Sequence, residues 1–291
     1  MKEIVMISGK GGTGKTSLTA AFAILGGKDV VVADCDVDAA DMHLLMKPDY
    51  AHSEDFHSGY LAVIDPFQCT GCGDCMRICR FNAVEVRNRI YKVDPLRCEG
   101  CGYCTRICPA NAIKNKEKRA GQWYISGIRT GSSMVHARLA IGADHSGKLV
   151  ARVKNEAKDL AFEERCPYVL VDGSPGIGCP VISSLSGANL AVLVTEPTIS
   201  GLHDLKRVYA LVKKFGIRAG CIINKADINA EMQRQIRHFL LDEKIFHLGD
   251  LPYDEAFTNS MVAGNTILES GNETIIQLIT SVWDKIKSLT S

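Results

Sequence analysis

The sequence lacks three things that would send it elsewhere. It has no charge excess: 34 Lys and Arg face 33 Asp and Glu, a formal net charge of +1. Nothing in that balance suggests a nucleic-acid or anionic-membrane surface. No apolar run reaches the roughly 20 residues of a membrane-spanning helix. Ile4-Val5-Met6-Ile7 is too short for a secretory leader and runs straight into a glycine-rich loop, so no leader is expected and a cytoplasmic location is. Cytoplasmic chains have little use for disulfides, yet this one carries 12 cysteines. Metal is therefore the first suspicion. The 291 residues, 46% of them hydrophobic, suffice for one large α/β domain plus something small.

The organising stretch is Gly9-Lys10-Gly11-Gly12-Thr13-Gly14-Lys15-Thr16, between that short apolar run and the helix-like Ser17–Leu25. Strand, glycine-rich turn and helix together predict a phosphate cradle. Glycines let backbone N–H groups converge on phosphate oxygens, and a helix start near Lys15 aims its positive end at them. Lys15 adds a mobile positive charge, and the Thr16 hydroxyl is suited to Mg²⁺. Asp29–Ala33 reads as a buried strand ending in Asp34-Cys35-Asp36-Val37-Asp38, where carboxylates face the ligand crevice of an open α/β sheet. Pro167–Asp172 is a second apolar strand ending in aspartate; Asp172 is the expected Mg²⁺ partner.

Cysteines form the second pattern. Cys69, Cys72, Cys75 and Cys79 follow C-x₂-C-x₂-C-x₃-C, and Cys98, Cys101, Cys104 and Cys108 repeat it at a constant offset of 29 residues. This is the spacing of bacterial two-cluster ferredoxins, whose fourth cysteine ligates the other cluster. One 4Fe–4S cluster is thus expected on Cys69, Cys72, Cys75 and Cys108, and the other on Cys98, Cys101, Cys104 and Cys79. Zinc favours C-x₂-C pairs rather than matched quartets. The stretch 65–116 is too small for a hydrophobic core of its own, so the clusters would staple it. Arg80 stands where the second half has Pro109; a positive charge there is expected to raise one potential.

A lysine inside the loop, Lys10, makes the cradle resemble the deviant Walker A motif of the MinD/ParA/nitrogenase-iron-protein class of P-loop ATPases. The resemblance implies an ATP-dependent dimer, of two identical chains or with a paralogue, in which Lys10 reaches the partner's nucleotide. It further implies that Asp36 orients the attacking water and that Asn224 and Pro252 frame the base. Gly9, Gly11, Gly12, Thr13, Gly14, Lys15, Thr16 and Ser17 would hold ATP or ADP, and Lys10, Lys15, Asp36 and Asp172 would carry the chemistry. Gly173–Gly178 resembles the second switch of the MinD/Mrp group. As a whole the chain resembles MinD-superfamily ATPases with an inserted ferredoxin. The implied fold is α/β, a mostly parallel P-loop sheet built from 1–64 and 117–291, interrupted by a small α+β ferredoxin-like domain at 65–116.

Other residues read more plainly. Asp34, Asp38 and Asp41 are expected as solvated charges or helix caps, and His52 and His57 as surface residues in a polar stretch before the strand Tyr60–Pro66. Trp123–Ile125 and Met134–Leu139 suggest a flap facing a partner, or a hairpin covering the sheet. Cys35, Cys166 and Cys221 are expected in the core; Cys179 is expected to be buried and inert at a helix start, with a redox contact at a dimer axis as the alternative. Thr274–Leu289, bearing Trp283, should pack on the sheet. The function expected first is ATP-gated electron transfer to a redox partner. Assembly or delivery of cofactors to a client metalloprotein comes second, and a MinD/ParA-type positioning switch third.

Overall fold

The computed structural model describes residues 1–143, 146–270 and 272–290. In chain order the first elements are β1 (Lys2–Ile7), α1 (Lys15–Gly26), β2 (Val30–Asp34), α2 (Met42–Met46), β3 (His52–Ile64), α3 (Asp74–Ile78), β4 (Val84–Arg87), β5 (Ile90–Val93) and α4 (Tyr103–Ile107). They continue with β6 (Ile113–Gly127), β7 (Ser133–Leu139), α5 (Ser146–Glu163), β8 (Tyr168–Asp172), α6 (Cys179–Leu185), β9 (Leu190–Thr195) and α7 (Ile199–Lys214). The last are β10 (Arg218–Ile223), α8 (Ala230–Asp242), β11 (Phe246–Asp250), α9 (Ala256–Val262), α10 (Ile267–Ser270) and α11 (Glu273–Thr290).

Nine strands form one sheet in the order β11-β10-β9-β1-β8-β2-β7-β6-β3. From β11 to β7 every neighbouring pair is parallel. The central strands are apolar on both faces, as burial between two helix layers requires: β1, β2, β8 and β9 are buried almost throughout. On one face α1 and α11 pack together, Phe22 stacking on Trp283 at 5.5 Å between ring centroids, with Ile275, Ile279 and Ile286 beside them. The C-terminal amphipathic helix is thus part of the core, as its pattern predicts.

Two expectations change at the sheet's edge. The polar stretch before Tyr60 is not a separate loop but the first half of β3, the last strand of the sheet, so an exposed, histidine-bearing sequence is compatible with it. The segment around 133–139 neither covers the sheet nor forms a flap. β7 lies in the sheet's plane, parallel to β2, with Val32 opposite Met134 and Asp34 opposite His136.

The chain divides into two compact units. The first comprises Met1–Glu54, Trp123–Arg138 and the chain from Ser146 onward; the second comprises Asp55–Gln122 and a short return beginning at Leu139. The second unit thus starts before the cysteine-bearing stretch, inside β3, which ends at Ile64, and extends past it into β6, which runs unbroken through residue 116.

Inside the second unit the sequence duplication is a structural one. Asp65 N–H donates to the Ala112 carbonyl at 2.7 Å, and its counterpart Asp94 donates to Ala83 at 2.7 Å. Each half thus closes on the other across a pseudo-two-fold. Cys69 N–H donates to Asp65 and Cys98 N–H to Asp94, at 3.0 and 3.1 Å. Asn82 and Asn111 take left-handed φ values of 49° and 50°, a conformation asparagine tolerates better than most residues.

Candidate nucleotide site and paired cysteine cavities

A cavity of about 380 Å³ lies over the carboxyl end of the sheet in the first unit. Gly11, Gly12, Thr13, Gly14, Lys15, Thr16, Ser17, Asp36, Asn224 and Pro252 all line it. Gly9, Lys10 and Asp172 do not. Gly14 sits at φ 88° just before α1; a Cβ there would lie 2.4 Å from the Asn224 amide nitrogen. Gly9 is glycine for another reason: a Cβ would meet the Asp204 backbone oxygen at 2.5 Å. α1 points its N-terminal N–H groups into the cavity, the usual anion-binding end of a helix. The Thr13 hydroxyl is buried and unpaired, a donor well placed for a phosphate oxygen.

Beneath the loop, buried Asp172 accepts from Thr16 Oγ1 and Thr19 Oγ1, each at 2.8 Å, and lies 2.9 Å from Lys15 Nζ. Asp36 Oδ2 is 3.8 Å from the same ammonium. Asp34 does not fit the expectation of a solvated charge or cap. It is 1% exposed, because parallel pairing of β2 with β8 sets it opposite Asp172. Burial, then repulsion from Asp172, pushes its carboxyl up to about 8. Burial likewise lifts Asp36 to about 6, with Lys15 opposing. The site therefore gathers three carboxylates around one lysine, and one carboxylate oxygen of Asp34 is buried without a hydrogen-bond donor. Thr16 and Asp172, already hydrogen-bonded to each other, are the residues here that could face a nucleotide-bound Mg²⁺.

Lys10 points away from the cavity. Its Nζ lies 2.6 Å from Glu196 Oε1 and donates to Ser200 Oγ at 2.9 Å. Glu196 also accepts from Lys225 Nζ at 3.0 Å, and Lys225 reaches the Gly12 carbonyl at 3.2 Å. Neither Glu196 nor Lys225 was flagged by sequence reasoning; both follow strand ends, β9 and β10, the one signal that marks them. Asn224, expected at the base, spends its amide on the Thr13 carbonyl at 2.8 Å and so ties β10 to the loop. The wall opposite the loop comes from α9, where Met261 accepts from Ser17 Oγ at 3.0 Å.

The second unit contains two cavities with cysteine linings. Cys69, Cys72, Cys75 and Cys108 line a small one of about 20 Å³. Cys79, Cys98, Cys101 and Cys104 line a larger one of about 400 Å³. Each cavity draws three cysteines from one half of the repeat and one from the other. Among the described residues, no three His, Cys, Asp or Glu side chains converge closely enough to hold a single metal ion. The thiols ring spaces instead of meeting at a point. Of the remaining cysteines, Cys35, Cys166 and Cys221 are buried as expected, but Cys179 is exposed at the start of α6 rather than buried. Among the described residues no helix is long and apolar enough to cross a membrane.

Similar proteins share the chain's length and its fold. The uncharacterized protein MJ0578 of Methanocaldococcus jannaschii is 32% identical over 288 residues, covering 98% of this chain and 96% of that protein. The cysteine-bearing stretch 65–116 therefore lies within the match. Among solved structures, the septum site-determining protein MinD of Pyrococcus horikoshii, complexed with Mg-ADP, superposes with a TM-score of 0.60 at 18% identity, covering 99% of this chain and 96% of that one. The cell division ATPase MinD of Pyrococcus furiosus gives 0.58 at 19%, covering 99% of each chain. The family model described as the CobQ/CobB/MinD/ParA nucleotide binding domain matches residues 4–267, from the first strand through the phosphate loop to the wall of the cavity, and the chain belongs to that family.

Proposed function

We propose that the chain is an ATPase that gates electron transfer through two 4Fe–4S clusters to an acceptor protein. One observation carries the redox half: eight cysteines divide between two separate cavities in crossed sets, the sharing that two-cluster ferredoxins require. The residues fit the group. Thiolates are its ligands, and a single zinc ion would need four sulfurs about 2.3 Å from one point. Cys69, Cys72, Cys75 and Cys108 would hold one cluster, and Cys98, Cys101, Cys104 and Cys79 the other. When bound, the clusters supply one-electron redox chemistry.

The nucleotide half follows from the cradle. Backbone N–H groups from Gly9 to Ser17 take the phosphates, and the Thr13 hydroxyl gains a partner. Lys15, now 2.9 Å from Asp172, turns toward the phosphates, while Thr16 and Asp172 face Mg²⁺. Asp36 lines the cavity with a carboxyl raised to about 6, near enough to neutral pH to orient the attacking water. Lys10 leaves Glu196 to reach the nucleotide of a second copy or a paralogue, so closure of an ATP-dependent dimer and completion of the site are one event. Asn224 and Pro252 frame the base.

Delivery of an iron–sulfur or other metal cofactor to a client is the second reading. It is favoured by the exposed Cys101 at the larger cavity. The test is anaerobic purification with iron and acid-labile sulfide counted, then EPR-monitored redox titration of the Asp36→Ala protein with and without MgATP. About eight of each per chain is expected. A potential shift of about 59 mV or more with MgATP, tenfold for a one-electron couple, supports gating by linkage. An unshifted potential combined with loss of iron to an apo-acceptor favours delivery. A chain without labile sulfide ends both readings.

A further inference from the structure

The pseudo-two-fold makes the two cysteine cavities comparable position by position, and they are not alike. The backbone N–H of Ala83 donates to Cys79 Sγ at 3.4 Å. Its repeat counterpart, Ala112, makes no such bond to Cys108 among the described residues. Arg80 lines the larger cavity, whereas the counterpart residue is Pro109, which carries no charge. Glu99 lines the larger cavity too, at the place where the smaller one has uncharged Thr70. The smaller cavity is faced by Asp74, whose carboxylate is already paired with Arg77. The larger cavity is also roomier, about 400 against 20 Å³, and its Cys104 is part-exposed where the counterpart Cys75 is buried. Half-exposed Ile78, Phe81 and Tyr103 stand around it.

We infer that the two centres differ in electron affinity, and that the one held by Cys98, Cys101, Cys104 and Cys79 takes and keeps the first electron. This rests on the redox reading above. Reduction adds one negative charge and breaks no bond; the electron comes from a low-potential one-electron donor. Whatever stabilises negative charge on the cluster raises its potential. An N–H···S bond does so directly, and a guanidinium at the cavity wall does so through space. Wider access to water does so by solvation. Glu99 opposes Arg80, and both are exposed, so the two charges largely offset and the sum rests on the N–H···S bond and on solvent. A cluster held by Cys98, Cys101, Cys104 and Cys79 would then hold its added charge beside the apolar rim of Ile78, Phe81 and Tyr103.

The experiment is a reductive EPR titration with dithionite and redox mediators, on full-length protein purified anaerobically and shown to hold about eight iron and eight sulfide. Two waves are expected, separated by at least tenfold in affinity, about 59 mV for one-electron couples. The upper wave should vanish or move in Cys101→Ser and persist in Cys72→Ser, two exposed cysteines at matched positions. Should either serine variant lose the whole unit, Arg80→Gln and Arg80→Pro decide: both should lower the upper wave and leave the lower one in place. Coincident waves overturn the inference while leaving the redox reading intact. So does an upper wave that follows Cys72, or an Arg80 variant that moves the lower wave or neither. Absence of iron and sulfide removes the redox reading itself, and the inference with it.

Discussion

Gly14 holds φ at 88° with Asn224 packed where a Cβ would go. Gly14→Ala therefore adds backbone strain of about 1–2 kcal/mol to a contact that the Asn224 amide relieves only by leaving the Thr13 carbonyl. Nucleotide affinity should fall at least tenfold by calorimetric titration with Mg-ADP, while the far-UV dichroism of the fold is kept; unchanged affinity would remove Gly14 from the cradle. Asp34 makes a different kind of demand. An aspartate raised from 3.8 to about 8 binds a proton in the native state that the unfolded chain has already released. The stability this proton confers is fully present below about pH 4 and is lost as pH rises through about 8. Asp36, raised to about 6, adds a slope that ends sooner. Melting temperatures of nucleotide-free protein should therefore fall from pH 5 to 9. Asp34→Asn should flatten the curve above pH 6 and melt higher than the parent at pH 9. Parallel curves would mean that Asp34 is charged in the native state. None of this was visible in the sequence. Asp34 looked like one loop carboxylate among several, and only the register of β2 against β8 sets it beside Asp172.

Lys154 shows how the elements are held together. It projects from α5 into the body of the first unit, 3% exposed, where it meets Glu3 of β1 at 2.5 Å and donates to the Ser184 and Ser186 carbonyls at the end of α6. One ammonium thus satisfies a carboxylate and the C-terminal carbonyls of a short helix, whose negative end favours a cation. Lys158, 2.5 Å from the other Glu3 oxygen, shares the carboxylate. Lys154→Met leaves those carbonyls unpaired and Glu3 half-compensated in the interior. About 3–5 kcal/mol of stability should be lost in urea unfolding, and a change under 1 kcal/mol would show that water replaces the ammonium without cost. The elements themselves were largely legible, because the signals were local: apolar runs for the buried parallel strands, a glycine-rich turn before α1, and a 3.6-residue rhythm for α5, α7 and α11. Legibility failed where position depends on a distant partner. β7 reads as half of a local hairpin and does lie next to β6, but its other edge pairs with β2 across about a hundred residues of sequence, which places the hairpin in the sheet rather than over it. β3 begins in residues as polar as a loop, because the last strand of a sheet needs few apolar side chains. The cysteines show in the sequence as two repeats of fixed spacing, and each cavity is lined by three from one repeat and one from the other, a crossing that spacing within a single repeat does not dictate.

In the proposed dimer, Lys10 would serve the assembly more than the single chain. In one chain its charge is satisfied by Glu196 and Ser200, on the side of the loop away from the cavity lining. A lysine used only in cis would be expected to line that cavity, as Lys15 does. The arrangement would make Glu196 a competitor for Lys10: closure of the proposed dimer over nucleotide would first break this contact. Glu196 is itself held by Lys225, which grips the Gly12 carbonyl, so the retaining group is fixed to the same loop that binds phosphate. Two variants separate the contributions. Lys10→Ala should retain Mg-ADP affinity within about threefold, since the residue stands outside the cavity, yet lose ATP turnover and nucleotide-dependent dimerisation. Glu196→Gln keeps the shape of the contact but removes the competing charge. It should tighten the dimer formed with a non-hydrolysable ATP analogue about fivefold, or ~1 kcal/mol, the range of a partly exposed ion pair. Light scattering coupled to gel filtration, at several protein concentrations, reads both. If Lys10→Ala dimerises and turns over normally, Lys10 has no role in trans. If Glu196→Gln weakens the dimer instead, Glu196 is a strut of the closed state, and its grip on Lys10 in the single chain is part of the loop's architecture rather than a restraint to be released.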